Sequence, residues 1–302
     1  VGSINFGKIV LEKTQNNTTC MKTFLQDDDY IESLVLGAPG EVFLLCDNRV
    51  YRVFKRNIDY FSLQSSVRHF TYVEETAECI FELYNRKQKE KLFTTKTCAP
   101  NKYNVKFPWI HFDGREVLCL GHNKDIYLVV VLRLKNRPSE LNHTCCQICT
   151  FDEFGHLTRP VLEGKDPGRS KIKICKSVLV MLESQSISIM KGYSFDISFS
   201  YSGAIGLDPS LRFSPKDVCV DPSDNFLVID SYDDTVHLLD STGNFLQIIL
   251  SRERGPRGIQ CAVIDPTGLL WLGCEKGLVY FVDYQQCKKS TRKGQCIVIK
   301  PD

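Results

Sequence analysis

A pattern that occurs twice near the end of the sequence constrains the fold more strongly than any other feature. In the first copy, residues 214–240, an apolar segment leads into an Asp-Pro turn at Asp221, and two further apolar segments follow before Asp240. The same order returns about 44 residues later, with the turn at Asp265 and the end at Asp283. Each copy is therefore predicted to form three short strands joined by tight turns.

Repeats of roughly 40–50 residues with several strands each are typical of a β-propeller. Five apolar segments follow a turn signal, and a sixth, residues 79–84, falls between the first two of them. Together they are the predicted second strands of six blades: residues 41–45, 79–84, 116–120, 178–182, 226–229 and 269–272. No window shows a convincing helical period of apolar residues. The sequence therefore predicts one all-β domain over residues 1–302, a six-bladed β-propeller with little helix.

The spacing of the six segments is wide between the third and the fourth, where we expect an insertion within blade three at residues 124–144. Residues 4–11 are the predicted closing strand of the final blade, beside residues 296–300. A strand from the start of the chain in the last blade would close the ring and remove exposed sheet edges.

The chain contains 14 cysteines, which allow two interpretations. Potential glycosylation sequences at Asn17 and Asn142 fit a secreted protein held by disulfides. Other cysteines lie inside apolar segments, where a thiol packs as a small hydrophobic group: Cys46, Cys119, Cys219, Cys261 and Cys274. We favour reduced thiols and a cytoplasmic location, because a propeller of this size rarely needs disulfides.

The overall charge and hydropathy restrict the classes of partner. A formal net charge of +2 does not demand a nucleic acid or an anionic membrane, and it slightly favours a protein. The longest apolar run, residues 126–132, is too short to span a bilayer, so we expect no membrane as a partner.

Residues 214–284 resemble the NHL repeat. The matching positions are Pro215, Val218, Cys219, Val220, Asp221, Asp230, Val236, Asp240 and Gly243 in the first copy, and Pro256, Gly258, Asp265, Gly268 and Asp283 in the second. The segment Ser231-Tyr232-Asp233-Asp234 replaces the Asn-His-Arg signature of that repeat. The pattern is similar to the C-terminal propellers of invertebrate tripartite-motif (TRIM) proteins. The resemblance implies the target-recognition part of such a ubiquitin ligase, without ligase activity of its own.

In a propeller, the connections between blades and the turns between second and third strands lie at one edge, which is usually the binding side. The candidate binding residues expected there are Lys165, Arg169, Arg212, Lys216, Tyr232, Arg252, Arg254 and Arg257. Guanidinium groups pair with carboxylates or phosphates, and exposed tyrosines such as Tyr201 or Tyr103 would add stacking platforms for bases. The sequence predicts a protein target, with a single-stranded or structured RNA as the alternative. The third possibility is a solvated surface whose charges are cancelled by acidic neighbours.

A catalytic role is the least favoured interpretation. Metal-dependent propeller hydrolases and lyases hold a metal with inward His, Asp, Glu or Asn side chains, and the six histidines show no such recurrence. The acidic pair Asp233 and Asp234 recurs in no other blade, and Cys146 and Cys149 lack the second half-site of a tetrahedral zinc centre. We therefore predict no catalytic residue, no metal and no cofactor.

Overall fold

The computed structural model describes residues 10–13, 19–22, 30–46, 49–54, 57–62, 67–73, 77–83, 92–96, 103–106, 115–123, 126–134, 145–152, 154, 156–158, 162–165, 171–175, 178–191, 196–203, 212–252 and 255–283. These residues form 25 strands and one turn of 3-10 helix, so the described part of the chain is all-β, as predicted. Within it, no helix has the length and apolar character needed to cross a bilayer.

The strands follow one another in short steps along the chain. They are β1 (Val10–Lys13), β2 (Thr19–Lys22), β3 (Ser33–Leu36), β4 (Glu41–Cys46), β5 (Arg49–Phe54), β6 (Asn57–Ser62), β7 (Val67–Val73), β8 (Glu78–Leu83), β9 (Leu92–Lys96), β10 (Tyr103–Lys106), β11 (Arg115–Asn123), β12 (Ile126–Leu134), β13 (Cys145–Phe151), β14 (Leu162–Lys165), β15 (Lys171–Cys175), β16 (Val178–Leu182), β17 (Ile187–Lys191), β18 (Ile197–Tyr201), β19 (Pro215–Val220), β20 (Phe226–Asp230), β21 (Thr235–Leu239), β22 (Phe245–Leu250), β23 (Ile259–Ile264), β24 (Leu270–Cys274) and β25 (Leu278–Val282). The 3-10 helix, Glu275–Gly277, lies between β24 and β25.

The described strands form six sheets, which we number along the chain. Sheet 1 contains β3 to β6, sheet 2 contains β7 to β10, and sheet 3 contains β11 to β14. Sheet 4 contains β15 to β18 and sheet 5 contains β19 to β22. In each of these five sheets, strands that are consecutive in sequence are neighbours in space, as in the blade of a propeller.

Sheet 6 has five strands, in the order β23, β24, β25, β2 and β1. A strand from the start of the chain therefore does complete the last sheet, but the paired residues differ from those expected. Strand β2 is antiparallel to β25, with Thr19 opposite Phe281, and β1 adds outside β2. Only the last two residues of the predicted segment 4–11 fall in β1, and residues 296–300 lie outside the described residues.

Sheet 3 corrects the interpretation of blade three. Residues 116–120, predicted as its second strand, belong to β11, which is the first strand of the sheet. Strand β12 is the second strand, and it lies between β11 and β13 inside the expected insertion at 124–144. Because β11 carries an apolar run like that of a central strand, the assignment was one strand too early and the following interval looked too long.

The chain divides into two compact units, of which the first contains sheets 1, 5 and 6. It comprises Val1–Tyr60, Ser184–Ile187 and Ser200–Asp302. One buried cluster joins sheets 5 and 6, including Leu227, Val236 and Leu272, and a second joins sheets 6 and 1. The first strands of these sheets are neighbours, since β19 contacts β23 and β23 contacts β3.

The second unit comprises Phe61–Glu183 and Ser188–Phe199, and it contains sheets 2 and 3 and most of sheet 4. Here too the first strands of successive sheets are neighbours, because β11 contacts both β7 and β15. Within each unit, three successive sheets thus meet along their first strands, as blades do around a propeller axis.

Three turns of the repeat that begin at an aspartate have a common hydrogen-bond pattern, and in two of them, at Asp221 and Asp265, a proline follows the aspartate. At Asp221, Asp240 and Asp265, the carboxylate Oδ1 accepts the backbone N–H groups two and four residues later at 2.7–3.0 Å. The third residue after each aspartate has a positive φ, and two of these three residues are Gly243 and Gly268. Asp152 closes the β13–β14 turn with the same pair of carboxylate bonds. The sequence repeat therefore encodes one type of side-chain-closed hairpin.

A buried carboxylate connects sheet 5 to sheet 6. Asp217 of β19 is 1 % exposed, and its Oδ2 accepts the backbone N–H of Ala262 in β23 at 2.9 Å. At the equivalent position of the next copy, the Cys261 thiol donates to the Ile31 carbonyl, just before β3, at 3.7 Å. Gly273 leaves space for this contact, since a Cβ there would lie 2.6 Å from the Cys261 sulfur. The same position of the two copies thus connects sheet 5 to sheet 6, and sheet 6 to the segment before sheet 1.

Replacing Asp217 with Ala should lower the free energy of unfolding by about 2–3 kcal/mol, because the amide of Ala262 would be left buried without its acceptor. Asp217→Asn retains an acceptor oxygen and should cost less. Urea unfolding at neutral pH measures the free energy of unfolding of both variants. The control Asp233→Ala, at a partly exposed turn, should change the free energy by no more than about 0.5 kcal/mol. An Asp217→Ala variant as stable as the control would contradict this role.

Seven cysteines with described side chains are buried thiols: Cys46, Cys79, Cys149, Cys175, Cys219, Cys261 and Cys274. All seven lie within strands, where sulfur packs as an apolar group. These side chains therefore fill the core of the sheets, as expected for the four of them singled out from the sequence.

In the native protein these seven thiols should react slowly with a thiol reagent such as DTNB, because burial excludes the reagent and disfavours the thiolate. Unfolding in guanidinium without a reductant should release at least seven fast-reacting thiols. Fewer than seven would show that some of them are oxidised and would contradict the packing described here.

Candidate protein-binding edge

Four connections of sheets 5 and 6 lie at one edge of these sheets, which we call the crossover edge. They are the segment before β19 (212–214), the β20–β21 turn (231–234), the β22–β23 connection (251–258) and the β24–β25 turn (275–277). In an antiparallel meander, the first and third strands begin at the same edge at which the second and fourth strands end. All four connections therefore lie at that edge. This is the edge on which the sequence placed the candidate binding residues.

Backbone hydrogen bonds hold these connections together. Ser231 donates its N–H to the Ser214 carbonyl at 2.9 Å, and Glu275 donates to the Gly258 carbonyl at 2.9 Å in the equivalent place of the next copy. Gly258 donates its own N–H to the Asp234 carboxylate at 2.8 Å, which connects the two sheets. Gly258 has a φ of +66°, and a Cβ there would lie 3.0 Å from the Glu275 carboxyl carbon, so the position requires glycine.

The turn that carries Tyr232 is fixed by a buried aspartate at the end of β20. Oδ1 of Asp230 accepts the N–H of Tyr232 and the N–H of Ser214, each at 3.0 Å. Burial raises the pKa of Asp230, the nearby Asp234 charge adds to this, and the two amide bonds oppose it. The carboxyl group thereby ties the turn to the segment that enters β19.

The structure brings four of the eight predicted binding residues to the crossover edge, and a fifth, Lys216, is the second residue of β19, directly beside it. Tyr232 is 52 % exposed, and four cationic side chains are also exposed: Arg212, Lys216, Arg252 and Arg257. None of the four cations forms a salt bridge with another described residue. Three acidic residues, Asp233, Asp234 and Glu275, lie on the same edge. Among the described residues, the edge therefore combines an aromatic ring with four cations and three acidic residues.

The structure does not describe the side chains of the other three predicted residues. Arg169 and Arg254 lie outside the described residues. Lys165 is the last residue of β14, in the second unit, and its side chain also lies outside the described part of the chain. Their contribution to binding stays a prediction.

Tyr201, which the sequence suggested as a stacking platform, is instead buried against sheet 5. Its hydroxyl lies 2.9 Å from Nδ1 of His237, whose Nε2 lies 2.9 Å from the Thr235 hydroxyl. The rings of Phe213 and Phe245 pack around His237 at centroid distances of 5.6 and 5.8 Å. This cluster joins Tyr201, the segment before β19, and the third and fourth strands of sheet 5, so Tyr201 has a structural role.

Sequence reasoning missed His237 as a buried polar residue. It is 4 % exposed, and all five residues of β21 are buried. Burial lowers the pKa of His237 to about 4, against a smaller opposing effect of the Asp233 charge. Burial also raises the pKa of Tyr201, with a further contribution from Asp230. Both side chains are therefore uncharged at neutral pH.

The depressed pKa of His237 predicts an acid-sensitive fold. The unfolded chain binds this proton near pH 6.5 and the folded chain only near pH 4, so stability is complete above pH 6.5 and declines between pH 6.5 and 4. The loss should reach about 2–4 kcal/mol at the lower limit. Because the raised pKa of Asp230 acts in the opposite direction, the test compares the unfolding free energy of the wild-type protein with that of His237→Gln across this range. Parallel curves for the two proteins would contradict the assignment.

No three His, Cys, Asp or Glu side chains of the described residues converge into a group that could hold a metal ion. No family model and no curated protein matches the sequence of the chain, so sequence comparison assigns it to no family.

Comparison with solved structures shows the β-propeller fold. The chain is similar to the WD40 β-propeller domain of Doa1, at 11 % identity and a TM-score of 0.56 over 88 % of this chain and 95 % of that one. It is similar to the gluconolactonase XC5397 from Xanthomonas campestris, at 11 % identity and a TM-score of 0.61 over 92 % and 98 % of the two chains. It is also similar to U3-55K, at 12 % identity and a TM-score of 0.56 over 88 % and 98 %. At these identities the likeness concerns the fold alone, which enzymes and binding domains share.

Proposed function

We propose that this chain is a six-bladed, NHL-like β-propeller that binds a protein target and performs no chemistry itself. In this proposal it is the target-recognition part of a TRIM-like ubiquitin ligase. The observation that carries the binding role is the exposed Tyr232 on a fixed turn, at the same sheet edge as the exposed Arg212 and Arg257. The resemblance of residues 214–284 to the NHL repeat supports the more specific role.

The residue types of the crossover edge favour a protein as ligand. Tyrosine and arginine are enriched among the few residues that supply most of the affinity in protein interfaces. The carboxyl groups of Asp230 and Asp234 and the glycine conformation at Gly258 hold the connections before any ligand arrives. A pre-organised surface loses less conformational entropy on binding, which increases affinity.

RNA is the second candidate, because the four exposed cations without salt bridges to described residues offer contacts to phosphates. The acidic residues oppose it, since Asp233 and Asp234 follow the only aromatic residue among the candidates directly in sequence. They would repel a phosphate placed beside the Tyr232 ring. We therefore place the protein target first.

The buried thiols support a reducing compartment for this role. Seven cysteines contribute to the strand cores as thiols, in agreement with the cytoplasmic location proposed for a ligase component.

The double variant Tyr232→Ala/Arg257→Ala should lose at least about tenfold in target binding without a change in melting temperature, because both side chains are exposed. The proteins and RNAs that co-purify with the wild-type chain and with this variant are to be quantified at low and high salt. The matched control is Phe154→Ala/Lys171→Ala, which removes an exposed aromatic residue and an exposed cation from the second unit.

A protein target should be lost selectively from the crossover-edge variant and depend weakly on salt. An RNA ligand would instead dissociate steeply as salt rises, through release of counterions. Equal retention of every partner by the wild-type protein, the variant and the control would contradict the proposed site.

A further inference from the structure

Tyr30 is an exposed tyrosine of the first unit, as Tyr232 is. It is 41 % exposed and lies in the segment that leads into β3, the first strand of sheet 1. Its hydroxyl donates a hydrogen bond to the side-chain oxygen Oε1 of Gln260, the second residue of β23. Strand β23 begins at the crossover edge, so Tyr30 lies beside that edge, on the side of sheet 1.

A β-bulge in β23 lies at Gln260. The register of β23 with β24 shifts between Ile259 and Cys261, which makes Gln260 the extra residue of the bulge. In β19 the same shift leaves Lys216 at the equivalent place. A bulge changes the direction of a side chain relative to a regular strand. Gln260 is 7 % exposed, and its carboxamide contacts groups of the crossover edge.

A chain of hydrogen bonds connects Tyr30 to the β20–β21 turn, through Gln260. The carboxamide nitrogen Nε2 of Gln260 donates to Oε1 of Glu275 at 3.3 Å and to the Gly258 carbonyl at 3.4 Å. Gly258 in turn donates its N–H to Asp234, in the β20–β21 turn. This turn and the segment before β3 are thus tied to the same connection of sheet 6. The two exposed tyrosines therefore have a fixed spacing before any ligand binds.

Carboxylates lie near both exposed tyrosines. Asp233 and Asp234 follow the first of these tyrosines in sequence, and Glu275 is bonded to the Gln260 side chain that holds the second. Neither Asp234 nor Glu275 has a salt bridge with another residue that the structure describes. A cation is attracted both to a carboxylate and to the face of a tyrosine ring. Arg257 is exposed on the same edge, so a ligand with a single basic residue fits better than a uniformly basic one.

We propose that the target-binding surface extends from Tyr232 across sheet 6 to Tyr30. It binds a segment of the target protein that has one arginine or lysine between two apolar residues. The apolar residues pack on the two tyrosine rings, and the cation lies between them at Asp234 and Glu275. Gln260 is a positioning residue, because it acts on the ligand through the Tyr30 ring. The inference rests on the proposed function, since it specifies the chemistry of a protein target.

The probes are three fluorescein-labelled peptides with blocked termini, in which serines separate a central arginine from a leucine on each side. With one, two or three serines in each position, the leucines of an extended chain lie about 13, 20 or 26 Å apart. A matched set carries glutamate in place of arginine. Fluorescence anisotropy measures binding to the wild-type protein. At least one arginine peptide should bind at least about tenfold more tightly than its glutamate counterpart.

Removing either tyrosine ring should weaken binding of that peptide at least about tenfold, because each ring contacts one leucine. The variants are Tyr30→Ala and Tyr232→Ala. The matched control is Tyr60→Ala, which removes a 38 % exposed tyrosine from β6, the fourth strand of sheet 1. This control should bind the peptide as the wild-type protein does. Thermal unfolding of each variant establishes that it is folded at the temperature of the assay.

Two further variants test the charge and the positioning role separately. Glu275→Lys should reverse the preference, so that the glutamate peptide binds more tightly than the arginine peptide. Gln260→Ala should weaken binding of the arginine peptide about threefold in the wild-type background and cause no further loss in Tyr30→Phe, whose ring has no hydroxyl to donate. A Gln260 residue with a merely structural role would add its loss to that of Tyr30→Phe, which would contradict the positioning role.

The absence of peptide binding, equal binding of the arginine and glutamate peptides, or full binding by Tyr30→Ala would overturn the proposal. These outcomes differ from a failure of the proposed function. If Tyr30→Ala binds as the wild-type protein does while Tyr232→Ala/Arg257→Ala loses its protein target, the extension to sheet 1 is wrong and the crossover edge stands. If the peptides behave as expected while the double variant retains every partner, the peptide site stands and the proposed function is wrong.

Discussion

Contacts between the first strands of neighbouring sheets set the geometry on which the rest of the first unit depends. The buried carboxylate of Asp217 accepts a hydrogen bond from Ala262, and Cys261, at the same place in the next copy of the repeat, contacts the carbonyl of Ile31. Both contacts lie beside buried apolar clusters that join sheets 5 and 6 and sheets 6 and 1. A buried polar group without its partner is costly, so these bonds favour the strand pairing and register that the structure shows.

The same contacts determine where the candidate binding residues lie. Strands β19 and β23 begin at the crossover edge, and their fixed spacing sets the positions of the connections that enter them. The amide of Gly258 then binds Asp234, while Asp230 holds the turn that exposes Tyr232. Packing in the core therefore fixes the positions of the exposed side chains, as a recognition surface requires.

Features encoded by neighbouring residues were predictable from the sequence, whereas features that depend on distant partners were not. The hairpins at Asp221 and Asp265 were predictable, because one side chain closes each turn on residues two and four positions later.

The predicted second strand of blade three was wrong by one strand, because apolar content does not distinguish a long first strand such as β11 from a central strand. Tyr201 was placed on the surface because its partner, His237, lies 36 residues away in sequence. Tyr232 and Arg257 are exposed at the edge where they were expected, since the order of strands in a meander determines which turns share an edge, and their role in binding stays a prediction.

Site-specific photo-crosslinking tests whether the crossover edge of sheets 5 and 6 binds a protein. A photoreactive phenylalanine analogue in place of Tyr232 is to be compared in cells with the same analogue in place of Ser223, an exposed residue of the β19–β20 turn at the opposite edge of sheet 5. If the crossover edge binds a protein target, position 232 should give protein crosslinks and position 223 should give none of the same proteins. Crosslinks to RNA alone, or the same proteins from both positions, would contradict protein binding at this edge.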